Sequence, residues 1–321
     1  MRFISADQVR RAAPMPQLLD AVEAAYRDVA AGRDRSPIRS RIPMGAGDLL
    51  LMPGLREGGA GASVKLVTVM PGNAARGLPT IHATVAWLDA ESGEPLAILD
   101  GPTLTAMRTG AASGVSTRLL ARQDARVLAL FGAGAQAAWQ VRAVMAARAI
   151  AEVRVFARTS ASRDEFAASL AEELAPATQV VASDSAEAAV RGADVVCCAT
   201  TSFEPIFSAA WVEPGTHISA VGSFQKGMVE LPPEIFAAAA LVAVDSREAV
   251  LEEAGDLLAA IETGRLAADG FVEIGTLDRG WASTRDAEAI TVFKSVGLAI
   301  QDVATAELVM ANLGADEGRS G

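Results

Sequence analysis

A glycine-rich segment, LALFGAGAQAAWQV at residues 128–141, has the spacing that points most directly to a chemical role. An aliphatic run leads into Gly132, Gly134 and Ala137, and an apolar helical pattern follows. In a Gly-x-Gly-x-x-Gly/Ala turn, the first glycine allows the tight turn and the second lets the backbone approach a pyrophosphate. The small third residue allows close helix packing. The segment predicts a dinucleotide-binding loop, with a βα turn of another doubly wound protein as the alternative.

Residues about 20 positions further along indicate which dinucleotide such a loop would hold. NAD-binding versions place an Asp or Glu there, which accepts a hydrogen bond from the ribose 2′-hydroxyl. Arg158, Thr159 and Ser160 occupy this position instead. A guanidinium and two hydroxyls suit a 2′-phosphate, which a carboxylate would repel. We therefore predict NADP(H) as the cofactor and keep NAD(H) as the alternative.

The elements that would hold this loop change character along the chain. Before about residue 99, helical segments precede strand-like runs and a hairpin turn at 91–95, which predicts helices and a mostly antiparallel sheet. From about residue 125, strand-like and helical segments alternate, as in a parallel, doubly wound sheet. The last predicted helix is TVFKSVGLAIQDVATAELVMANLG, from residue 291, which could return to the first region. The predicted fold class is α/β, with a Rossmann doubly wound sheet next to an α+β region.

The composition restricts the classes of protein and partner. Apolar residues make up 51% of the chain and charged residues 21%, the balance of a soluble globular protein. The formal net charge of -11 argues against a nucleic-acid partner, which would favour a basic surface. Cys197 and Cys198 lie in an apolar run and are expected to be buried, reduced thiols, and with two His residues no metal site is expected. Because there is no apolar signal core and no apolar run of spanning length, we expect a cytoplasmic protein without a membrane partner.

Several motifs, in order, make the sequence similar to the ornithine cyclodeaminase/mu-crystallin family. They are KLVTVMPGNAARGLPT, LAILDGPTLTAMRTGAAS, LALFGAGAQA, GTHISAVGS and TVFKSVGLAIQDVA, and the resemblance covers about residues 37–308. It implies a Rossmann domain, expected over 123–296, inserted into a substrate-binding and dimerisation domain made of 1–122 and 297–321. It also implies a homodimer built through the antiparallel sheets.

The resemblance places substrate and cofactor residues as well. It puts Arg39 and Lys65 on substrate-binding positions, and Arg108 near the substrate carboxylate and the nicotinamide. Arg is a planar, two-pronged donor for the carboxylate of a small imino or amino acid, and Lys adds a mobile charge. Arg108 near a predicted helix start would oppose the helix dipole, which an anionic ligand would justify. The alternative is that Arg39 and Lys65 are surface or interface charges. The residues expected at the cofactor are Thr80, Arg108, Gly132, Gly134, Ala135, Gln136, Arg158, Thr159, Ser160, Thr200 and Val221.

One departure from the family pattern bears on the reaction. Ornithine cyclodeaminases and archaeal-type alanine dehydrogenases have an Asp at a position where this chain has Phe224. Phenylalanine cannot take up a proton, and ketimine reductases of the mu-crystallin type also lack this Asp. The resemblance therefore implies NADPH-dependent reduction of Δ1-pyrroline-2-carboxylate or Δ1-piperideine-2-carboxylate, two small cyclic imino acids, to proline or pipecolate. The alternatives are cyclodeaminase or alanine dehydrogenase activity with NAD, and a non-catalytic, crystallin-like protein that binds NADPH.

An imine must be protonated for reduction, and free solution supplies that proton if the imine's own pKa is near neutral. The protein offers two candidate donors. Lys65 would serve if burial lowers its pKa. His82 lies on a predicted strand near Thr80, where a hydrogen-bonded sheet histidine is the alternative. His217, at the head of a predicted Rossmann strand, is expected to be structural. The predicted catalytic residues are thus Lys65, Arg108 and His82.

Overall fold

The computed structural model describes residues 1–319, which divide into two compact units. The first unit is Met1–Arg108 together with the segment that begins at Leu298, and the second is Thr109–Gly297. The sequence placed these boundaries after residues 122 and 296 instead. The chain therefore leaves the first unit once and returns to it near its end.

The first boundary falls inside one continuous helix, Gly101–Leu120, rather than after it. The second half of this helix belongs to the second unit, because Ser113 and Ser116 form hydrogen bonds with residues of that unit. Ser219 donates a hydrogen bond to the Ser113 hydroxyl at 2.8 Å, and the Ser116 hydroxyl lies 3.0 Å from His217 Nε2. A turn or linker signal could not mark a boundary of this kind, since the backbone stays helical through it.

The first unit is built on a six-stranded sheet that is antiparallel except at one edge. Its strands are β1 (Arg2–Ile4), β2 (Ser40–Met44), β3 (Gly47–Leu55), β4 (Gly61–Val69), β5 (Ile81–Asp89) and β6 (Pro95–Asp100). Their spatial order is β1-β6-β5-β4-β3-β2, and β1 pairs in parallel with β6. The predicted hairpin turn joins β5 to β6, and its Gly93 has φ +75°, a left-handed conformation that favours glycine.

Eight parallel strands form the sheet of the second unit. They are β7 (Val127–Phe131), β8 (Glu152–Phe156), β9 (Gln179–Ala182), β10 (Val195–Cys198), β11 (His217–Ala220), β12 (Leu241–Val244), β13 (Val272–Glu273) and β14 (Thr291–Lys294). Their spatial order is β13-β12-β14-β11-β10-β7-β8-β9, so the direction of winding reverses between β7 and β10. Ligands of doubly wound sheets bind beyond the carboxyl ends of the strands at such a point. The predicted fold class, a parallel doubly wound sheet with a separate, mostly antiparallel one, is confirmed.

Helices cover the remaining regular structure within residues 1–319. They are α1 (Ala6–Ala12), α2 (Met15–Ala30), α3 (Gly101–Leu120), α4 (Ala137–Ala147), α5 (Ser160–Leu174), α6 (Ala186–Val190), α7 (Pro233–Ala238), α8 (Arg247–Glu253), α9 (Gly255–Glu262), α10 (Trp281–Thr284) and α11 (Ala299–Arg319). Short 3₁₀ turns lie at Pro71–Arg76, Ala209–Trp211 and Ile274–Thr276. In this part of the chain, no helix has both the length and the apolar character that crossing a membrane requires.

The prediction for the last helix was wrong at its beginning. Residues Thr291–Lys294 form β14, a central strand between β11 and β12, and α11 begins only at Ala299. The strand is fully buried, and periodicity does not separate a short apolar run of this kind from a helix. Gly297, with φ +82°, lies between the two elements and takes a conformation that ends the extended run.

Helix α11 lies against one face of the antiparallel sheet. A Cβ on Gly54 of β3 would stand 2.9 Å from Val303 Cγ2 and 3.1 Å from Ala299 Cβ, so a side chain there would hold the helix away. Gly54 pairs with Ser63 of β4, and Ser63 is two residues before Lys65. Because side chains alternate between faces along a strand, Gly54, Ser63 and Lys65 lie on the same face of the sheet. The close approach therefore brings α11, with its buried Asp302, to the face that carries Lys65.

Candidate active site

The glycine loop joins β7 to α4, as the sequence predicted. Gly132 has φ +108°, and a Cβ there would stand 2.6 Å from the Ala199 carbonyl oxygen. A Cβ on Gly134 would meet no heavy atom of the described chain within 4 Å, so this side of the loop is open. Ala137 is buried at the start of α4, whose first amides have no side-chain cap. Open backbone at a helix N-terminus fits the pyrophosphate of a dinucleotide. Two further predicted cofactor residues complete the loop, Ala135 and Gln136.

The three residues predicted to select the dinucleotide lie next to this loop. The Gly132 amide donates a hydrogen bond to the Phe156 carbonyl at 2.9 Å, which ties the end of β8 to the glycine loop. Arg158, Thr159 and Ser160 follow after Ala157, and all three are exposed. Thr159 is the N-cap of α5 and Ser160 its first residue. A cation and two hydroxyls thus lie at the surface beside the loop, and the Thr159 hydroxyl also accepts from the Ser162 amide.

The buried carboxylate of Glu230 joins the segments that follow β10 and β11, the next two strands on one side of β7 in the sheet. Glu230 Oε1 accepts hydrogen bonds from the Thr200 amide at 2.7 Å and the Thr200 hydroxyl at 2.9 Å. Its Oε2 accepts from the amides of Gly222 at 2.8 Å and Ser223 at 3.1 Å. Burial raises the pKa of Glu230. Glu230 therefore fixes the positions of the predicted cofactor residues Thr200 and Val221, which lie in these two segments.

A buried lysine supports the same segment. Lys294 Nζ donates to the Ser223 carbonyl at 2.8 Å and hydroxyl at 2.7 Å, and lies 3.3 Å from Asp256 Oδ1. Lys294 and Asp256 are fully buried, whereas Phe224, the next residue after Ser223, is half-buried. We call Ser223, Glu230, Asp256 and Lys294 the Lys294 cluster. The sequence did not predict this cluster, although a charge inside the apolar run TVFKSV was a signal, because buried charges need partners.

A second buried cluster lies in the first unit and contains two predicted site residues. Lys65 Nζ on β4 lies 2.7 Å from Asp302 Oδ2 of α11, and Arg108 Nε on α3 donates to Asp302 Oδ1 at 3.1 Å. Lys65 is 1% exposed and Asp302 0%. We call Lys65, Arg108 and Asp302 the Lys65 cluster. Arg108 lies beyond the first turn of α3, where the helix dipole has little effect, so the carboxylate and not the dipole governs its position.

Further hydrogen bonds hold the other arm of Arg108. Its Nη1 donates to Gln301 Oε1 at 3.1 Å, and Gln301 Nε2 donates to the Tyr26 hydroxyl at 2.6 Å. Tyr26 is buried in α2, and α2 packs against α11. The guanidinium is therefore fixed from two sides by neighbouring residues of one helix.

The surroundings of Lys65 make its ammonium a stronger acid than usual. Burial lowers the pKa of Lys65 to about 7, with Arg108 and Arg39 acting in the same direction, whereas Asp302 opposes the shift. Arg39 lies half-buried in the segment before β2, close enough for its charge to act on Lys65. The structure thus brings the three predicted substrate-binding residues, Arg39, Lys65 and Arg108, into one electrostatic environment.

The remaining predicted residues of the first unit lie elsewhere. Thr80 is exposed just before β5, and its carbonyl accepts from the Met70 amide at 2.8 Å. His82 pairs with Thr68, the third residue after Lys65 on β4. Because neighbouring side chains on a strand point to opposite faces, His82 lies on the sheet face opposite Lys65. It is exposed there and belongs to no part of the Lys65 cluster.

The other histidine and the two cysteines are buried in the second unit. His217 Nε2 lies 3.0 Å from the Ser116 hydroxyl and Nδ1 3.0 Å from the Thr291 hydroxyl. Burial lowers the pKa of His217 to about 3, so the ring is neutral. Burial raises the pKa of Cys197 to about 12 and that of Cys198 well above its ordinary value, which keeps both free thiols protonated. Within residues 1–319, no group of three or more His, Cys, Asp or Glu side chains is placed to hold a metal ion.

Known proteins resemble this chain over almost its whole length. A Δ1-pyrroline-2-carboxylate reductase of Bacillus cereus is 39% identical over 311 residues, which are 96% of this chain and 95% of the relative. The structure of Thermococcus litoralis Δ1-pyrroline-2-carboxylate reductase in complex with NADH and L-proline has a TM-score of 0.91 at 32% identity, covering 99% of this chain and 98% of that chain. An archaeal alanine dehydrogenase dimer with bound NAD has a TM-score of 0.87 at 33% identity, covering 99% and 97%.

The family resemblance that the sequence indicated is confirmed by a match to a model of that family. The model of the ornithine cyclodeaminase/mu-crystallin family matches residues 2–317. This range includes the glycine loop, the Lys294 cluster and the Lys65 cluster. The chain therefore belongs to the ornithine cyclodeaminase/mu-crystallin family.

Proposed function

We propose that this protein is an enzyme that reduces the C=N bond of a small cyclic imino acid with NADPH. Its substrate would be Δ1-pyrroline-2-carboxylate or Δ1-piperideine-2-carboxylate, and its product proline or pipecolate. The Lys65 cluster carries the proposal, because it combines a cationic site for a carboxylate with an amine whose pKa is about 7. The similarity to a reductase from Bacillus cereus named for the five-membered imine supports this substrate class.

The charges of the Lys65 cluster suit a substrate with one negative charge. Lys65 and Arg108 bring two positive charges when both are protonated, and Asp302 neutralises one of them. Arg39 adds a further cation nearby. The substrate carboxylate would bind to the guanidinium of Arg108, whose planar donors match its two oxygens.

Lys65 is the proton donor in this proposal. Its Nζ would give a proton to the imine nitrogen, which turns C=N into the better hydride acceptor, and would recover a proton from water afterwards. Reduced nicotinamide, when bound, supplies the hydride that the imine carbon takes up. One proton and one hydride together convert the imine into the secondary amine. His82 is left out of this role because it lies on the opposite face of the sheet.

The preference for NADPH depends on the residues beyond β8. Arg158, Thr159 and Ser160 lie at the surface beside the glycine loop, and none of them would repel a 2′-phosphate. The Thermococcus litoralis relative is described with NADH, so the proposed preference depends on this chain's own residues.

A homodimer through the antiparallel sheet is the assembly that we propose. Phe3, Ile42 and Leu66 are 76%, 46% and 46% exposed in the single chain. The strand register places all three on the sheet face opposite Lys65. Such an apolar face on a soluble protein favours burial against a second copy. The archaeal alanine dehydrogenase that resembles this chain is described as a dimer.

Light scattering tests this assembly. We expect the wild-type protein to have the mass of two chains and Leu66→Asp that of one, because a carboxylate would be buried unpaired in the interface. Leu251→Asp is the matched control, since Leu251 is also exposed, at 38%, but lies in α8 of the second unit. A wild-type protein with the mass of one chain would contradict the dimer.

NADPH consumption with a panel of substrates tests the reaction. We expect turnover with one or both cyclic imines and none with pyruvate plus ammonia. We also expect no release of ammonia from ornithine, because Phe224 offers no acid or base. Turnover with pyruvate and ammonia alone would replace the proposal by alanine dehydrogenase activity. Tight NADPH binding without turnover of any imine would indicate a non-catalytic binding protein.

A further inference from the structure

Two cations from different elements share one buried carboxylate in the first unit. Asp302 Oδ2 lies 2.7 Å from Lys65 Nζ, and Asp302 Oδ1 accepts from Arg108 Nε at 3.1 Å. Lys65 lies on a strand and Arg108 on a helix, and both have long side chains with many rotamers. A carboxylate with one oxygen on each of them fixes the distance between the two cations, which neither side chain fixes by itself.

Three charged side chains from three different segments act on Lys65, and one of these charges is negative. Asp302 acts from α11, Arg108 from α3 and Arg39 from the segment before β2. Both arginines and the burial of the amine oppose a proton on Nζ, whereas the Asp302 carboxylate favours it. The charge state of Lys65 near neutral pH therefore depends on Asp302.

We propose that Asp302 is the positioning residue of the proton donor. This inference rests on the proposed function and deepens it. Asp302 keeps the Lys65 ammonium protonated and holds it beside Arg108, so that Lys65 protonates the imine nitrogen while Arg108 binds the carboxylate. Asp302 acts through Lys65: the proton leaves Nζ for the imine nitrogen, and no bond to Asp302 forms or breaks.

The neighbours of Arg108 provide variants that change charge in a known direction. Gln301 Oε1 accepts from Arg108 and also from the Leu298 amide, so a Glu at this position would meet two existing donors. It would neutralise part of the Arg108 charge that acts against the proton on Lys65. Tyr26→Phe removes a hydroxyl from the same network without any change of charge.

The test is the pH dependence of kcat/KM for imine reduction at saturating NADPH. For the wild-type protein we expect a fall as the pH rises through about 7, because only protonated Lys65 donates. Asp302→Asn removes the charge that favours the ammonium, so its fall should lie about one to three pH units lower. Asp302→Glu should return it toward the wild-type position. Gln301→Glu should move it to higher pH, and Tyr26→Phe should leave it in place.

The outcomes separate this inference from the proposed function. An imine that loses its own proton would give the same fall in every variant, so unmoved profiles in Asp302→Asn and Gln301→Glu overturn the role of Asp302 and leave the function standing. If Asp302→Asn does not fold, Gln301→Glu decides alone. A shift of the fall in kcat/KM to higher pH supports the role of Asp302, and no shift overturns it. A wild-type protein that oxidises no NADPH with either imine overturns the proposed function, and the role of Asp302 with it.

Discussion

Each unit of this protein contains one fully buried lysine that faces a buried aspartate, and the two lysines differ in how many partners they have. Lys294 donates to two oxygens of Ser223 and lies 3.3 Å from Asp256, so its three protons have three partners. Among residues 1–319, the one side chain paired with Lys65 is Asp302, at 2.7 Å. The two side chains are equally buried, yet only one of them is saturated.

In the proposed function, this difference separates a structural lysine, Lys294, from the proton donor, Lys65. An ammonium has three donors and no acceptor, and a buried donor without a partner is costly. Lys294 meets that requirement within the protein and therefore links the segments that would hold the nicotinamide. Lys65 leaves protons available for a ligand, and burial beside two arginines brings its pKa to about 7. Fold stability should depend on the first lysine and turnover on the second.

The largest expected effect is that of Lys65→Met on turnover. Loss of the proton donor should lower kcat/KM for the imine by about 100- to 10,000-fold. Stability should change little, because the substitution removes an amine whose charge is disfavoured by burial while Arg108 still binds Asp302. Steady-state kinetics and denaturant unfolding measure the two quantities. A variant with near wild-type kcat/KM would show that Lys65 is not the donor.

Lys294→Met is the matched substitution in the second unit. It leaves Asp256 and the oxygens of Ser223 buried without their partner, so the free energy of unfolding should fall by about 3–5 kcal/mol. The pH at which kcat/KM falls should stay at the wild-type position, since Lys65 is untouched. Unchanged stability here, or a moved pH profile, would remove the distinction between the two lysines.

Arg158→Ala tests the proposed contact of the second unit with the cofactor. Loss of a charge-assisted hydrogen bond to the 2′-phosphate, worth about 1.5–3 kcal/mol, should weaken NADPH binding by about 10- to 100-fold. NADH binding should stay the same. Fluorescence titration with both cofactors measures this, and Arg191→Ala, an exposed arginine paired with Glu187, is the control. Equal loss for both cofactors would contradict the prediction.

Glu230→Gln should have the smallest effect of the series. The amide group turns one acceptor into a donor that faces backbone amides, at a cost of about 1–3 kcal/mol. Because Thr200, Gly222 and Ser223 would lose their fixed positions, we expect the Kd for NADPH to rise about tenfold. The KM for the imine should change less than that for NADPH. A larger change in the KM for the imine than in the KM for NADPH would place Glu230 with the substrate residues instead.

Local patterns predicted the parts of the site that lie on short stretches of chain. The glycine loop was recognisable because a tight turn between strand and helix needs its glycines in sequence, and Gly132 indeed has a left-handed φ. Arg158, Thr159 and Ser160 were predicted from their spacing from that loop, and their role at the cofactor stays a prediction. The strand of His82 was predicted as well, but the face that His82 occupies follows from the register of β5 with β4, two strands separated by residues 70–80.

The partners of the buried charges could not be found in this way. Asp302 lies 194 residues from Arg108 in the chain, and it is the carboxyl group that holds Arg108 and Lys65 together. The error at Thr291–Lys294 has a related cause: an apolar run is equally suited to a helix or a central strand until its neighbours are known.

The sequence by itself determined the nucleotide loop, the family and the identity of the charged residues, because these depend on residue type and short-range spacing. Only the tertiary structure decided which buried lysine is saturated and which is not. Electrostatic interactions depend on distance and burial, and both are set by the packing of α11 on the antiparallel sheet and of α9 near β14. Two lysines that look alike in the sequence thereby acquire different numbers of partners.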